Sequence, residues 1–422
     1  MSPPRRYFGT DGVRGVVGES LSPDLVARIG HAFARWAGGP SLLVGRDTRA
    51  SGPELERALV AGLSAGGAEV SLGGVLPTPA VALLADECAA VVSASHNPPE
   101  YNGVKFFAAG GRKLTDEEES AVEALLDGLD GSMPHAVSRP GLPARYVELL
   151  VERFGSDLGG LRIAVDCANG AMSEVAPEAF RRLGADVVAI ADKPNGANIN
   201  VGCGATDLAL LARTAREQRV HLGVAFDGDG DRMLAVDAEG NPVDGDQILA
   251  VLALHLGVDL VAVTSMTNLG FHELMHRHGV RVVTTDVSDR YVLEALRREG
   301  GVLGGEQSGH LIWLDGHVSG DGLAAALLLC RALEGRTLAK AAAEMLRYPQ
   351  AKEDVAVRRK ELSREIEQEV ERTNAELGDE GRVLVRPSGT EPVVRVLAEA
   401  KKAGQASSLC ATIAALVRRE LG

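Results

Sequence analysis

The chain has 422 residues, a formal net charge of −14 and an apolar fraction of 45%. A chain of this length is too long for one ordinary core and predicts three or four domains. The acidic balance disfavours nucleic acid and membrane surfaces as partners, because like charges repel, and the longest apolar runs are too short to span a bilayer. The five cysteines have no CxxC spacing and no apolar leader segment opens the chain, so we expect reduced, buried thiols in a cytoplasmic protein.

Residues 1–130 alternate strand and helix signals. Ser22 and Pro23 mark the start of the first predicted helix, and Thr115 and Glu118 have the spacing of a capping box at the start of the last one. Short apolar strands such as SLLVGRD and AAVVSAS lie between the helices. Strands alternating with helices favour a largely parallel sheet covered on both faces.

The rest of the chain predicts two further α/β units and a small α+β domain. Residues 131–143 (GSMPHAVSRPGLP) are rich in proline and glycine and predict a linker. Beyond residue 350 the pattern changes to a charged helix, two strands around RPSGTEP and a last helix. The predicted domains are 1–140, 141–253, 254–350 and 351–422, and four such domains would form a central cleft.

The motif DGDGDR (227–232) follows the apolar strand HLGVAF and predicts a divalent cation site. In an extended segment residues two apart point the same way, so Asp227, Asp229 and Asp231 converge. A divalent cation relieves the repulsion between three such carboxylates, and an all-oxygen ligand set favours Mg²⁺ over zinc. Arg232 and Ala238 exclude an EF-hand, because they occupy the positions of its glycine and its glutamate. A solvated acidic turn is the alternative.

Two other loops carry polar groups suited to a phosphorylated sugar. RPSGTEP (386–392) combines a guanidinium, hydroxyls and a backbone N–H into an anion cradle, with a polar hairpin turn as the alternative. GGEQSGH (304–310) places polar side chains between glycines, which suits recognition of sugar hydroxyls. The candidate residues are Arg386, Ser388, Gly389, Thr390 and the nearby Arg395 for the anion, and Glu306, Ser308 and His310 for the sugar.

The motif HELMH (272–276) matches the HExxH pattern of zinc hydrolases. No histidine stands three residues after Gly279, and Glu294 is only a distant candidate for a third ligand. We therefore favour an ordinary amphipathic helix between two strands over a zinc site.

The stretch SASHNPPEYNGVK (93–105) allows three interpretations: a serine hydrolase, a serine that carries phosphate, or a rigid polar turn. A hydrolase elbow needs GxSxG, which is absent, and Ser95 and His96 point apart on an extended chain. A phosphate carrier needs a metal, a proton donor and acceptor, and a separate substrate anchor. DGDGDR, Lys105 and RPSGTEP supply these, so the phosphate carrier is favoured.

Five motifs in this order and spacing resemble the α-D-phosphohexomutase superfamily over the whole chain: FGTDGVRG, SASHNPPEYNGVK, DGDGDR, GEQSGH and RPSGTEP. Within it, GEQSGH with Gln307, NINVGCGATD (198–207) and DRYVLEAL (289–296) are similar to the bacterial phosphoglucosamine mutase family. The resemblance implies an α/β protein with three related mixed-sheet domains. It also implies a C-terminal α+β domain of the TATA-binding-protein-like kind around a central cleft.

The resemblance further implies an isomerase, an intramolecular phosphotransferase that interconverts glucosamine 6-phosphate and glucosamine 1-phosphate and feeds UDP-N-acetylglucosamine synthesis. The route passes through a phosphoserine enzyme and a bisphosphorylated sugar. A phosphomannomutase/phosphoglucomutase with the same mechanism is the alternative, and a non-catalytic sugar-phosphate sensor is the rival from another class. One Mg²⁺ per active site, a sugar bisphosphate primer, a hexosamine phosphate substrate and a monomer or homodimer are implied as well.

The roles implied for single residues are as follows. Phosphorylated Ser95 shares Mg²⁺ with Asp227, Asp229 and Asp231. Lys105 and His310 transfer protons, with Arg14 nearby, and His96 helps to set the surroundings of the phosphate. Arg232 supports the reacting phosphate, Glu306 and Ser308 hold ring hydroxyls, and the RPSGTEP residues with Arg395 grip the phosphate that does not react. A hinge is expected near residue 350.

Overall fold

The computed structural model describes residues 6–9, 11–126, 135–388 and 392–422. The chain forms two compact units, one of Met1–Met266 with His278–Glu344 and one of Thr267–Arg277 with Met345–Gly422. Within the described ranges, no helix combines the length and the apolar character needed to cross a membrane.

The first sheet is built by residues 13–138. Its strands are β1 (Val13–Val16), β2 (Ser41–Arg46), β3 (Glu69–Val75), β4 (Cys88–Val92), β5 (Tyr101–Ala108), β6 (Arg112–Lys113) and β7 (Ala136–Ser138). Its helices are α1 (Pro23–Trp36), α2 (Gly52–Ala65), α3 (Thr78–Leu84) and α4 (Asp116–Glu123), with a 3-10 turn at Ala109–Gly111. The strand order is β1–β5–β4–β2–β3–β7, and β6 pairs with β5.

The prediction of a largely parallel first sheet is correct only in part. Strands β4, β2, β3 and β7 run parallel, whereas β1, β5 and β6 are antiparallel to their neighbours. The reason is the connection between β4 and β5, which is a short loop with no crossover helix, and such a loop can join only antiparallel strands.

The predicted helix starts are confirmed. Ser22 Oγ accepts from the Leu25 N–H at 3.2 Å, and Pro23 opens α1. Thr115 and Glu118 form the complete capping box of α4. These side chains satisfy N–H groups that a helix start leaves without intrahelical partners.

The linker predicted at 131–143 is wrong for most of its described part. Ala136–Ser138 form β7, which extends the first sheet beside β3, and Leu142 begins the next helix. The edge of β3 offers unpaired backbone groups, and even a three-residue strand satisfies them. Residues 131–134 lie outside the described ranges.

The second sheet has the order β12–β11–β10–β8–β9 and is mixed. Its strands are β8 (Arg162–Asp166), β9 (Asp186–Ile190), β10 (Leu222–Phe226), β11 (Met233–Asp237) and β12 (Pro242–Val243). Its helices are α5 (Leu142–Phe154), α6 (Met172–Arg182) and α7 (Ala209–Gln218). Because β10 and β11 are antiparallel with Phe226 opposite Met233, residues 227–232 form the hairpin loop between them.

The third sheet has the order β14–β13–β15–β16 and is mixed as well. Its strands are β13 (Leu260–Thr264), β14 (Arg281–Thr285), β15 (Leu303–Gly305) and β16 (Leu311–Trp313). The helices of this part of the chain are α8 (Gly245–His255), α9 (Leu269–Arg277), α10 (Asp289–Glu299), α11 (Gly322–Leu333) and α12 (Leu338–Ala342), of which α9 belongs to the second compact unit.

The C-terminal part is an antiparallel sheet with two helices. Its elements are β17 (Gln350–Ala356), α13 (Arg364–Leu377), a 3-10 turn at Gly378–Glu380, β18 (Gly381–Pro387), β19 (Val393–Ala400) and α14 (Ala403–Leu421), with the order β17–β19–β18. Valines of the sheet pack on Ile413 and Val417 of α14. The predicted fold class, three mixed α/β sheets followed by an α+β domain, is confirmed.

All five cysteines are buried, as predicted: Cys88, Cys167, Cys203, Cys330 and Cys410. Burial is the main reason that the pKa of each thiol is raised. A buried thiol with a raised pKa is unreactive, so these cysteines act as small apolar core residues.

Candidate active site

Ser95 lies in the loop that follows β4 and is fully buried. Its φ of +53° is in the left-handed region, which a residue with a side chain rarely adopts. The Ser95 N–H donates to Ser93 Oγ at 2.9 Å. The side chain therefore leaves the loop in a direction that an ordinary extended residue would not give it.

The three aspartates of the β10–β11 hairpin meet at one point, as the spacing predicts. Asp227, Asp229 and Asp231 each offer a carboxylate oxygen, and these oxygens lie within 4.8 Å of one another. Asp227 and Asp229 are fully buried and Asp231 is 3% exposed. Ser95 Oγ donates to Asp227 Oδ2 at 2.5 Å, so the first sheet and the second sheet meet at this pair.

Two cations compensate this acidic cluster. Lys105, on β5 beside β4, donates from Nζ to Asp229 Oδ2 and Asp231 Oδ2 at 2.8 Å each, and its distance to Asp11 Oδ2 is 2.9 Å. His310 Nε2 lies 3.0 Å from Asp231 Oδ1, and its Nδ1 lies 3.1 Å from Glu306 Oε2. Both residues predicted to transfer protons, Lys105 and His310, therefore contact Asp231.

Burial and the neighbouring charges together raise the pKa values of three groups of the cluster. Burial, with the neighbouring Asp231 and Asp229 carboxylates, raises the pKa of Asp227 to about 7. Burial alone would lower the pKa of Lys105, but three carboxylates outweigh it and raise that pKa well above its usual value. Burial is likewise outweighed at His310, where Asp231 raises the pKa to about 10. Both cations therefore hold a proton at neutral pH in the ion-free chain.

A second layer of charges surrounds the lysine. Asp11 accepts from Arg14 and from Lys113 Nζ, the latter at 2.8 Å. Lys113 also donates to Asp289 Oδ2 at 2.5 Å, so the start of α10 is joined to the first sheet. The predicted neighbour Arg14 is thus part of the site through Asp11.

The aspartate cluster fits a divalent cation. Asp229 Oδ1 is buried and has no hydrogen-bond partner in the described chain, whereas its Oδ2 accepts from Thr78 Oγ1 at 2.6 Å. A buried carboxylate oxygen without a donor is costly unless something else satisfies it. Three carboxylates and one hydroxyl give the oxygen-only donor set that Mg²⁺ prefers.

His96 and Arg232 lie on the Ser95 side of the cluster. His96 Nδ1 is 3.3 Å from Ser95 Oγ. Burial and the positive charges of Arg232 and Arg14 lower the pKa of His96 to about 3, so the ring is neutral at pH 7. The backbone N–H of Arg232, at the end of the hairpin loop, donates to Asp227 Oδ1, at its start, at 3.1 Å.

The loop of Glu306, Ser308 and His310 is held against the start of α8. The Gly245 N–H donates to the Gln307 carbonyl at 3.1 Å, and the Gly309 N–H donates to the Glu306 carbonyl at 3.0 Å. Glu306 joins the cluster through His310, whereas Ser308 is exposed to solvent. Only part of the predicted sugar-binding set is therefore connected to the reacting cluster.

The predicted anion cradle belongs to the second compact unit. Arg386 on β18 stands directly opposite Arg395 on β19, and the Ser388 N–H closes the hairpin onto the Val393 carbonyl at 2.9 Å. Gly389 and Thr390 lie outside the described residues. Arg395 Nε also lies 3.8 Å from Asp354 Oδ1, so at least one of the two guanidiniums has a carboxylate nearby.

The HExxH segment forms helix α9, as the favoured interpretation predicts. Glu273 accepts from the Tyr348 hydroxyl at 2.9 Å, and burial with the charge of Arg382 lowers the pKa of His272 to about 4. In the part of the chain that the structure describes, the aspartate trio is the one cluster of histidine, cysteine or acidic side chains with metal-binding geometry. Within the described residues, no third side chain of these types joins His272 and His276 in such a cluster.

Two residues of the site carried no signal strong enough to predict them. Thr78, the first residue of α3, donates from Oγ1 to Asp229 Oδ2 and from its backbone N–H to the Asp229 carbonyl. Asn200 donates from Nδ2 to the Ser95 carbonyl at 2.9 Å. The weak signals were a threonine at the start of a helix after Leu-Pro, and an asparagine in the polar run NGANINVG.

Four family models, for the α/β/α domains I, II and III and the C-terminal domain of phosphoglucomutase/phosphomannomutase, match residues 5–131, 144–240, 244–348 and 341–416. The chain belongs to the phosphoglucomutase/phosphomannomutase family, which confirms the predicted superfamily and makes the chain a phosphohexomutase, an isomerase.

Among individual relatives, the chain is similar to curated phosphoglucosamine mutases. It is 49% identical to that of Saccharopolyspora erythraea, covering 98% of this chain and 99% of the relative. It is 43% identical to that of Bacillus subtilis, covering 99% of both chains. A solved phosphoglucomutase/phosphomannomutase family protein from Burkholderia thailandensis shares the fold, with a TM-score of 0.83, 24% identity and coverage of 97% of both chains.

Proposed function

We propose that the chain interconverts glucosamine 6-phosphate and glucosamine 1-phosphate, with Ser95 as the carrier of the phosphoryl group. The observation that carries this proposal is the 2.5 Å contact between Ser95 Oγ and Asp227 in a buried carboxylate cluster. The 49% identity to a phosphoglucosamine mutase over nearly the whole chain supports the choice of sugar. The roles would be divided over the domains 1–140, 141–253, 254–350 and 351–422.

Asp227, Asp229, Asp231 and phosphorylated Ser95 would hold one Mg²⁺. When bound, the ion spreads the negative charge that gathers on the phosphoryl group during transfer. The chain contributes the placement: the β10–β11 hairpin gathers three carboxylates, and the first of them, Asp227, accepts from the serine hydroxyl. Arg232, next in the chain after Asp231, would add cationic support beside the phosphate.

The reaction we propose has two transfers. In the first, the bond from phosphorus to Ser95 Oγ breaks and that oxygen gains a proton, while a bond forms to the free hydroxyl oxygen of the sugar monophosphate, which loses its proton. The sugar, now a bisphosphate, turns over. In the second transfer Ser95 Oγ loses its proton and takes the other phosphoryl group, and the sugar oxygen that the group leaves gains a proton. A sugar bisphosphate supplied from solution would load Ser95 for the first cycle.

Lys105 and His310 are the groups proposed to move the protons. Both contact Asp231, so each lies beside the cluster at which the phosphoryl group would be transferred and could exchange a proton with a reacting oxygen there. His96 is neutral and lies beside Ser95 Oγ, so we assign it to the surroundings of the phosphate.

The site must bind the sugar in two orientations, one for each transfer. Glu306 and Ser308 would hold ring hydroxyls. Arg386, Ser388, Gly389, Thr390 and Arg395 would bind the phosphate that is not reacting. The opposed pair Arg386 and Arg395 supports this assignment, because two guanidiniums on facing strand positions suit a doubly charged anion.

The proposal is tested by comparing wild type with Ser95→Ala. Intact-mass analysis should find one phosphoryl group on the wild-type chain and none on the variant. The variant should lose glucosamine-phosphate mutase activity by several orders of magnitude, because no other group in the proposed cycle carries the phosphate. An active Ser95→Ala protein would sink the proposal.

The choice of sugar is tested separately. Turnover of glucosamine, glucose and mannose phosphates should be compared on one preparation, with glucosamine expected to have the highest kcat/KM. A preference for glucose or mannose would favour the alternative, a phosphomannomutase/phosphoglucomutase with the same two transfers. Oligomeric state, proposed to be monomer or homodimer, is read from light scattering of the same sample.

A further inference from the structure

The side chain of Arg49 packs against residues 93–100, the loop between β4 and β5, which we call the Ser95 loop. It does not touch the reacting atoms. It follows β2 and is 1% exposed. Its five N–H groups are all used: on Asp47 Oδ2 at 2.9 Å, and on the carbonyls of Ser95 at 2.9 Å, Asn97 at 2.8 Å, Tyr101 at 2.9 Å and Pro98. One planar guanidinium thus binds three carbonyls of the loop and that of Tyr101, where β5 begins, which a lysine cannot do.

Asp47 links this support to the backbone N–H of Ser95. Its Oδ1 accepts from the backbone N–H of Arg49 at 3.0 Å, and its Oδ2 accepts from Ser93 Oγ at 2.7 Å. Ser93 Oγ in turn accepts from the Ser95 N–H at 2.9 Å. Both backbone polar groups of Ser95 are therefore tied, directly or through Ser93, to the Arg49–Asp47 ion pair.

A second support comes from the loop after β9. Asn200 donates from Nδ2 to the Ser95 carbonyl at 2.9 Å and to the Asn97 carbonyl at 3.0 Å. Gly228 also approaches the Ser95 carbonyl, since a Cβ at that glycine would lie 2.6 Å from the carbonyl oxygen. The serine is therefore enclosed by loops of the first two sheets.

We propose that Arg49 and Asn200 are positioning residues for the phosphoryl carrier, an inference that rests on the function proposed for Ser95. Together they hold Ser95 in its left-handed conformation, with Oγ directed at Asp227. Without them the loop would relax towards an ordinary extended backbone and carry the oxygen away from the aspartates. The effect belongs to the transfer step, because neither side chain is assigned a contact with the sugar.

Arg49→Lys tests the first support. The lysine keeps the positive charge but can reach fewer carbonyls, so kcat should fall by about a hundredfold while KM for the sugar phosphate stays within about twofold. Arg46→Lys is the matched control: Arg46 ends β2, lies 3.5 Å from Glu56 and donates to the Asp47 carbonyl at 3.3 Å, but makes no hydrogen bond to the Ser95 loop or to the Asp47 carboxylate. The control should keep kcat within about twofold.

Asn200→Asp tests the second support with an isosteric change. Aspartate tolerates the left-handed φ of +60° but loses the two N–H donors and faces two carbonyls with a carboxylate. We expect kcat to fall at least about tenfold. The matched control is Asn169→Asp, a left-handed asparagine at φ +48° whose Nδ2 donates to the Asn198 carbonyl and not to the Ser95 loop.

The readout separates positioning from stability. Rates are divided by the amount of phosphorylated Ser95, and the ³¹P resonance of the phosphoserine is recorded. A purely structural role would lower the melting temperature and leave the rate per phosphorylated site and the resonance unchanged. The inference is supported if the rate per phosphorylated site and the ³¹P resonance both change in Arg49→Lys and in Asn200→Asp. Neither quantity should change in the two control variants.

Two failures are distinguishable. Wild-type kcat in both variants, in an enzyme that still requires Ser95, overturns the positioning role and leaves the proposed function intact. An active Ser95→Ala protein overturns both. Should Arg49→Lys fail to fold, Asn200→Asp still decides the question, because it replaces a half-buried side chain with one of the same shape.

Discussion

Two residues with left-handed backbone conformations meet at the Ser95 carbonyl. Besides Ser95 itself at φ +53°, Asn200 has a φ of +60°, and its Nδ2 donates to that carbonyl at 2.9 Å. Such conformations cost free energy and persist only where neighbouring groups enforce them. At the scale of single residues, the site is thus a place where backbone strain is held by hydrogen bonds.

Two substitutions of Ser95 should separate strain from chemistry. Ser95→Gly and Ser95→Ala both remove the hydroxyl, but only glycine adopts a left-handed φ without cost. We expect Ser95→Gly to be more stable than Ser95→Ala by about 1 kcal/mol in the free energy of unfolding, measured by denaturant titration.

Ser120 provides the matched pair of controls. It lies inside α4, where its hydroxyl donates to the Asp116 carbonyl at 2.8 Å. In a helix alanine is favoured over glycine by about 1 kcal/mol, so the order should reverse, with Ser120→Ala the more stable variant. The same order at both positions would show that Ser95 is not strained.

At the scale of elements, one buried carboxylate organises the start of α11. Asp321 accepts from the N–H groups of Leu323 and Ala324 at 2.8 and 3.0 Å, and from the Tyr146 hydroxyl on α5. The N–H of Gly322, the next residue, donates to the Gly230 carbonyl at 3.0 Å, inside the aspartate hairpin. The start of this apolar helix therefore supports the loop that presents the three aspartates.

Asp321→Ala should destabilise the chain by about 3 kcal/mol. It removes a helix cap worth about 1 kcal/mol. It also takes the carboxylate away from the buried Tyr146 hydroxyl and from His317 Nε2, which lies 2.8 Å from Asp321 Oδ2, at a cost of about another 1–3 kcal/mol. Thr115→Ala, which removes the cap of the more exposed α4, should cost only about 1 kcal/mol. Equal losses, measured as shifts in denaturant midpoint, would mean that the contacts with Tyr146 and His317 contribute nothing.

At the scale of the whole molecule, a chain with a net charge of −14 must still admit an anionic sugar phosphate. The residues proposed to meet it include the cations Lys105, Arg232 and His310 in the first compact unit, and Arg386 and Arg395 in the second. Because a chain of net negative charge repels anions at long range, these cations would have to attract the substrate at short range.

Added Mg²⁺ should raise the melting temperature of the wild-type chain. A ligand that binds only the folded state stabilises it by about 2.7 kcal/mol at a concentration one hundred times Kd. Asp229→Asn should lose this increment, because it removes one of the three carboxylates and the buried oxygen that lacks a donor. EDTA should return the wild-type melting temperature to its ion-free value.

Asp166→Asn is the control for that measurement. Asp166 is a fully buried aspartate on β8 that accepts from the N–H groups of Ala168 and Gly204, both at 2.9 Å. Its replacement should lower the melting temperature and leave the Mg²⁺ increment unchanged. An increment that survives in Asp229→Asn, or is absent in wild type, would contradict the assignment of the metal site.

Local chemistry predicted the parts of the site that depend on neighbours in the chain. The alternation of Asp227, Asp229 and Asp231 with glycine foretold their convergence, and helix caps such as Thr115 followed from spacing alone. Asn200 could not be predicted, because its partner Ser95 is 105 residues away and only the packed loops bring the two together. Strand β7 could not be predicted for the same reason. Its composition is typical of a linker, and only its pairing with the distant strand β3 makes it a strand.

The buried cysteines allow local opening of the fold to be measured in the wild-type chain. They are spread over the fold: Cys88 on β4, Cys167 and Cys203 in the loops after β8 and β9, Cys330 on α11 and Cys410 on α14. A thiol reagent reacts only when the element around a cysteine opens and its thiol ionises. Mass spectrometry would give the order in which the reagent labels the five cysteines. That order would rank the local stability of the elements that carry them, without an engineered cysteine.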